Sequence, residues 1–359
     1  MSNNKDFKVK NGIQPTVYHE AVGTVVSGQT GVNLAGASYA NKSFSVSSQD
    51  AGPFEITLNG DGTKLYVLGT DSDDVFQYSM STAYDISTAS YDNVSFSVTG
   101  QATSPSGFTL SGSGDRLYVV CNATDNVYQY SLSTAFDLST ASYDSISFSV
   151  ASQEANPRGI TLNSEGTKLY LVGSSSDSVH QYSLSTAYDL STASYDNVSL
   201  SVASQDTQPF SLEFKSGGSK LYVLGFTTDT VYQYSLSTAF DLSTASYDSV
   251  SFSVASQDTN PRGFSFSGNG AIMYYLGAAA PATIYQYSTA LTTAELDLST
   301  GSVFDYTPTS DVQVTLTNPA ASGTSSGATL LLGSEDSTGV GSTFSTTLYT
   351  GNGSTQTIT

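Results

Sequence analysis

The sequence predicts an all-β fold: a five-bladed β-propeller of 52-residue, four-stranded repeats, closed by an N-terminal outer strand and followed by a small C-terminal β module. Three observations predict it. The marker Val-(Tyr/Phe/His)-Gln-Tyr-Ser places its glutamine at Gln77, Gln129, Gln181 and Gln233, a constant step of 52, with a slipped fifth copy at Gln286. Every unit holds four short strand-like runs between turn residues, with no amphipathic helical period anywhere. First-type and fourth-type strands each occur five times but out of phase, so the chain enters with a fourth strand and the last unit lacks one. Four antiparallel strands per repeat make a propeller blade, and an early strand that completes the last blade closes the ring and removes two exposed edges.

Taken in order, residues 1–32 are too short to fold alone and read as an attachment or oligomerisation arm. The propeller is expected over residues 33–302. Each first strand follows Pro53, Pro105, Pro157, Pro209 or Pro261, as in the run Gly-Ile-Thr-Leu at 159–162. A Gly-containing turn leads to a second strand such as Lys-Leu-Tyr-Leu-Val at 168–172. The next turn carries Asp73, Asp125, Asp177 or Asp229, and the marker glutamine sits in the third strand. A connection containing Asp85, Asp137, Asp189 or Asp241 precedes the fourth strand, at 95–98, 147–150, 199–202 and 251–254. These aspartates read as turn and cap groups, because Asp bonds readily to nearby backbone N–H groups. The strand at 43–46 is the clasp, and residues 303–306 are a competing sixth outer strand. Residues 303–359 break the repeat but contain strand-like runs at 311–316 and 328–332.

Composition narrows the partners. Charged residues are 12% of the chain and the formal charge is −20, with no basic stripe. Phosphate recognition needs clustered Lys and Arg, so nucleic acid and anionic lipid are not expected partners. No run approaches membrane-spanning length, so no membrane insertion is expected, and residues 1–19 lack the apolar stretch of a secretory signal. Tyr (24) and Phe (17) supply much of the apolar content, which suits strands with one packed end and one wet end. The single cysteine, Cys121, takes the register position of Gly69 and Gly173 and reads as a buried thiol.

At Pro157–Leu171 the pattern Pro-x-Gly-(Ile/Phe)-Thr-Leu…Gly-Thr-Lys-Leu-Tyr-Val resembles the YVTN and lactonase-like β-propeller repeat. The stretch Tyr-Gln-Tyr-Ser-Leu-Ser-Thr-Ala-Phe-Asp-Leu-Ser-Thr-Ala-Ser-Tyr, the opening at residues 5–12 and the segment 304–323 resemble structural proteins of marine bacteriophages, cyanophage-type virion and tail-fibre proteins among them. That resemblance implies a virion location on an extracellular particle, contacts with other virion proteins, and a homo-oligomer, trimeric as fibres of this kind often are. The lactonase resemblance implies a divalent metal held in the central channel by carboxylates, Asn or His from different blades. On the inner strands only Glu55 and Glu213 answer to that set, too few for a metal site.

Near-identical repeats present the same groups several times, whereas an enzyme site needs dissimilar groups at one point, so no enzyme is expected. His180 replaces the aromatic residue of the other copies (Phe76, Tyr128, Tyr232, Tyr285) and reads as packing. No cofactor is expected; calcium at Asp71, Asp73 and Asp74 is the alternative, although no EF-hand spacing accompanies them. The inter-blade loops vary most, and there Phe54, Arg158, Phe210 and Arg262 form the candidate binding set for a host cell-surface glycan or protein receptor. The expected function is a non-enzymatic structural component of a tailed-phage virion, a tail fibre, spike or capsid decoration. The alternatives are a bacterial surface adhesin or exported binding propeller, and a metal-dependent lactonase-like hydrolase.

Overall fold

The structure is a computed structural model that describes residues 32–289 in full and, outside them, the backbone of strands Val22–Val25, Thr292–Asp297, Val303–Tyr306, Val312–Thr317, Ala328–Leu332, Thr343–Thr346 and Gln356–Ile358. Five four-stranded antiparallel sheets lie within the compact unit Thr30–Ala290. Blade one runs Pro53–Leu58, Lys64–Gly69, Asp74–Met80, Ala89–Ser97, and blades two to four repeat that order. Blade five takes Pro261–Phe266, Ile272–Gly277 and Thr283–Ser288 from one end of the unit and Ser38–Ser45 from the other. Phe44 pairs with Ile284 and Ser43 with Tyr285, so the clasp forms as the strand phase predicts. The five inner strands touch one another in a closed cycle.

Alternating apolar residues give each blade two faces, and five buried clusters fill the five joints between neighbouring blades. Val120, Val127 and Val150 meet Ile160, Leu169 and Leu171 between blades two and three. Val46, Ala282 and Ile284 meet Ile56, Leu65 and Val67 where blade five closes on blade one. Polar straps cross the same joints. At four joints a second-strand tyrosine donates its hydroxyl to a carbonyl of the next blade: Tyr66 to Phe136 O at 2.7 Å, Tyr118 to Tyr188 O at 2.6 Å, Tyr170 to Phe240 O, and Tyr274 back to Tyr84 O at 2.7 Å. The marker glutamines do likewise as acceptors. Leu138 N donates to Gln77, Leu190 N to Gln129, Leu242 N to Gln181, and Ile86 N to Gln286 across the closure.

The bond geometry explains why the marker is glutamine. Its carbonyl takes a buried N–H from the next blade while its amide donates to Asp92, Asp144, Asp196 or Asp248 on its own outer strand. Those aspartates are aimed inward by a bulge at the next residue, Asn93, Ser145, Asn197 or Ser249, each at positive φ. The connection aspartates Asp85, Asp137, Asp189 and Asp241 cap one-turn 3-10 helices by accepting the N–H two residues on. Gln181→Met keeps the volume but leaves Leu242 N–H buried and unpaired. Its expected cost is about 1–3 kcal/mol, read as a lower urea midpoint with unchanged slope.

Cys121 also has a structural account. In four blades a buried loop carboxylate (Asp50, Glu154, Asp206 or Asp258) lies where a Cβ on the paired Gly69, Gly173, Gly225 or Gly277 would go. Blade two has Ala102 in place of the carboxylate, and the thiol of Cys121 fills the vacated space, fully buried.

The second unit comprises Met1–Gln29 and Leu291–Thr359. Thr292–Asp297 pairs with Val22–Val25 and, in parallel, with Val312–Thr317. Val303–Tyr306 pairs with Ala328–Leu332 and joins no blade, so the competing sixth outer strand is not used in the ring. The expected arm falls largely outside the described residues, as do the loops of the C-terminal module.

Candidate active site in the ring axis

Each inner strand contributes three successive layers to the axis. The residue after the proline gives Phe54, Ser106, Arg158, Phe210 and Arg262. The next position gives Glu55, Gly107, Gly159, Ser211 and Gly263, and two further on stand Thr57, Thr109, Thr161, Glu213 and Ser265. Five blades leave little room at the centre. A Cβ on Gly107 would overlap the carbonyl oxygen of Arg158, and one on Gly159 would come within 2.8 Å of Phe210 O. Space for side chains in the middle layer is left to Glu55 and Ser211, from blades one and four.

Glu55 is buried, and its Oε1 accepts the Ile56 N–H at 3.0 Å. Burial pushes its carboxyl well above the ordinary carboxylate range, and the nearby charge of Glu213 adds to this; hydrogen bonds from Ser211, Ile56 and Phe264 oppose it. Glu213 is held from two sides. Its Oε1 lies 2.6 Å from Lys215 Nζ, and its Oε2 accepts the Phe266 N–H at 2.9 Å. Beyond this layer a cavity of about 370 Å³ opens at the hairpin end of the inner strands, lined by Glu55, Ser211, Glu213, Lys215, Thr109 and Phe240 among others. A glutamate whose carboxyl is raised by burial and a Glu213–Lys215 ion pair thus share one small cavity.

Phe54, Arg158, Phe210 and Arg262 lie at the opposite end of the inner strands and line no part of that cavity. Expected on exposed loops, they instead begin the inner strands and converge on the axis, because the turn at each proline directs the following side chain inward. The Phe54 and Phe210 rings stack at 5.3 Å, and Phe226 stacks on Phe210 at 4.8 Å. Arg158 sits over Phe54 and Phe210 at 5.5 and 4.9 Å, and Arg262 over Phe54, Phe210 and Phe226 at 5.1 to 5.5 Å. Burial lowers both guanidinium pKa values, and for Arg158 the charge of Arg262 lowers it further.

The remaining sequence candidates are dispersed. Asp73 stands at φ 54° in its turn and accepts from Thr99 Oγ1, Asp74 accepts from Ser95 Oγ, and Asp71 is exposed. Among the described residues no three His, Cys, Asp or Glu side chains gather as metal ligands. With Glu213 paired to Lys215 and Glu55 favouring its proton, the channel does not fit a divalent ion. His180 is buried against Tyr195, its Nε2 2.9 Å from Ser176 Oγ. Lys215 and Ser211 escaped sequence reading; the available signal was a lysine at the turn position where other blades carry Asn59, Ser111, Asn163 and Ser267.

Comparison with known proteins adds a family. The family described as lactonase, 7-bladed beta-propeller, matches residues 107–312. The chain belongs to that family. The match overturns the expectation that this lactonase-family propeller is no enzyme, because the family is named for lactone hydrolysis. Near-identical as they are elsewhere, the copies diverge where they face the axis. No curated protein matches the chain in sequence. Among solved structures, a Lactobacillus plantarum protein is 16% identical at TM-score 0.40, covering 63% of this chain and 64% of its own. A putative 6-phosphogluconolactonase from Bacteroides uniformis is 12% identical at TM-score 0.42, with 66% and 69% covered. The Pseudomonas aeruginosa periplasmic gluconolactonase PpgL is 18% identical at TM-score 0.41, with 62% of each covered. Likenesses this distant carry no argument about activity. The family description names seven blades; this lactonase-family propeller closes its ring with five.

Proposed function

We propose that this chain is a hydrolase of the lactonase kind, opening a small cyclic ester bound in the axial cavity. The observation that carries the reading is the trio Glu55, Glu213 and Lys215, contributed by two blades to one cavity. In the proposed reaction Glu213 takes a proton from water as its oxygen bonds to the carbonyl carbon. Lys215 faces the oxyanion that develops. Collapse breaks the ring C–O bond, and Glu55 gives its proton to the departing alkoxide, leaving a hydroxy acid. Burial raises the Glu55 carboxyl and so favours its acid form, while Glu213 is paired with Lys215: two carboxyl groups given two roles by their surroundings. Glu213 and Lys215 lie within the matched residues 107–312 and Glu55 lies outside them, so the roles of all three rest on the geometry of the cavity. Virion placement, a host receptor and a trimeric assembly rest on the sequence resemblance alone; the comparisons favour the hydrolase alternative.

The test is proton release from a sugar lactone such as gluconolactone at constant pH. Glu55→Gln is expected to lower kcat by about 10²-fold or more. The same variant has a stability signature. Glu55 holds its proton in the fold at a pH where the unfolded chain has lost it, so wild-type stability falls as pH rises from the ordinary carboxylate range towards the raised value. Glu55→Gln removes that decline. An unchanged rate in Glu55→Gln and Glu213→Gln would overturn the proposal.

A further inference from the structure

The end of the axis away from the cavity holds two cations whose environment the hydrolase reading leaves unexplained. The chain has 11 Lys and Arg against 31 Asp and Glu. Two of those few cations, Arg158 and Arg262, nevertheless stand over the same pair of phenyl rings, where burial first and the charge of Arg262 second lower the Arg158 pKa. Among the described residues neither guanidinium has a hydrogen-bond or ion-pair partner, and Arg158 Nε is buried without one. The loop carboxylates nearest in sequence are already engaged. Glu154 accepts from Asn156, Ser175 and Ser176, and Asp258 accepts from Asn260 and Ala279.

Two neighbouring guanidinium groups that are partly desolvated and unpaired cost stability unless an anion sits with them. Their chemistry selects the anion's kind. A guanidinium presents planar N–H forks that match the paired oxygens of a carboxylate or phosphoryl group. The Phe54–Phe210–Phe226 slab fixes the guanidinium planes in advance, so less side-chain freedom is lost when the anion arrives. The positions are also specific to two of the five repeats, since the equivalent residues elsewhere are Phe54, Ser106 and Phe210.

We propose that Arg158 and Arg262 form an oxyanion-binding site at the loop end of the ring, taking the carboxylate or phosphoryl group of a small molecule between their guanidinium forks. The site is separate from the cavity of Glu55 and Glu213 and stands whether or not that cavity is catalytic.

Calorimetric titration of the full chain with glucuronate, inorganic phosphate and glucose tests it. Glucuronate or phosphate is expected to bind saturably, more weakly as salt rises, while glucose does not; which anion binds tells carboxylate from phosphoryl recognition. Arg158→Gln and Arg262→Gln are each expected to weaken that binding about tenfold or more. Both variants are expected to keep the unliganded melting temperature or raise it, since each relieves like-charge repulsion. No saturable binding of either anion, binding of glucose to the same extent, or binding unchanged in both variants overturns the proposal. A lowered melting temperature in both variants with no anion effect assigns the pair to packing alone and overturns it as well.

Discussion

Removal of residues 1–47 is expected to abolish cooperative unfolding of the ring, whereas removal of residues 1–29 leaves it intact. The first truncation takes the clasp strand Ser38–Ser45 from blade five, along with Val32, Leu34 and Val46, all buried at the joints of blades four, five and one. Fully burying one aliphatic side chain contributes about 1.5–3 kcal/mol, so these three and the half-buried Phe44 together match much of the about 5–15 kcal/mol that holds a domain folded. The strand Thr283–Ser288 would be left with an open edge carrying Ile284 and Tyr287, an invitation to pair with another chain. The second truncation stops before the compact unit that starts at Thr30, and so removes none of these contacts. Urea unfolding followed by near-ultraviolet dichroism separates the two. Size-exclusion chromatography should show the shorter chain associating beyond the size of the intact chain, and a peptide of residues 32–47 added in trans should restore the elution volume of the intact chain by strand addition. A single sharp transition at the wild-type midpoint in the chain starting at residue 48 would show that the ring does not depend on its clasp.

That ring was readable in advance because its determinants are local and repeated. A turn residue, an alternating run and a capping aspartate recur every 52 residues, and the phase offset at 43–46 already implies closure. The axis was not readable in the same way. Glu55 and Ser211 meet because blades one and four face each other across the centre, a contact between positions far apart in sequence that no spacing rule reveals. Phe54, Arg158, Phe210 and Arg262 vary between repeats, but a residue following proline reads as the tail of a loop; only the ring turns it towards the centre. The same geometry undoes the argument that near-identical repeats make no active site. Positions that pack between blades are constrained to be alike, and the few facing the axis are free to differ. Chemistry in such a ring is therefore found in the departures from the repeat. Glu213, paired with Lys215 against Thr57, Thr109, Thr161 and Ser265 elsewhere, is the clearest of them.

Restoring the majority pattern in blade two one residue at a time is expected to fail, and restoring both together to succeed. Ala102→Asp introduces a carboxylate into the space the Cys121 thiol occupies. It would be a buried charge with neither room nor its hydrogen bonds, and a cost of about 3–5 kcal/mol follows. Cys121→Gly alone leaves a void and a flexible residue in a strand, at about 1–3 kcal/mol. In the double variant the carboxylate enters the vacated space. There it can accept from the backbone N–H groups of Ser104 and Thr124, the counterparts of the Gly52 and Ser72 groups that donate to Asp50. The two changes should therefore compensate, with a coupling of about 2 kcal/mol or more in a double-mutant cycle of urea midpoints. Additive losses would mean that the thiol and the carboxylate do not compete for one space. Compensation would show that Cys121 and Ala102 are one substitution made at two places, with the lone cysteine acting as filler.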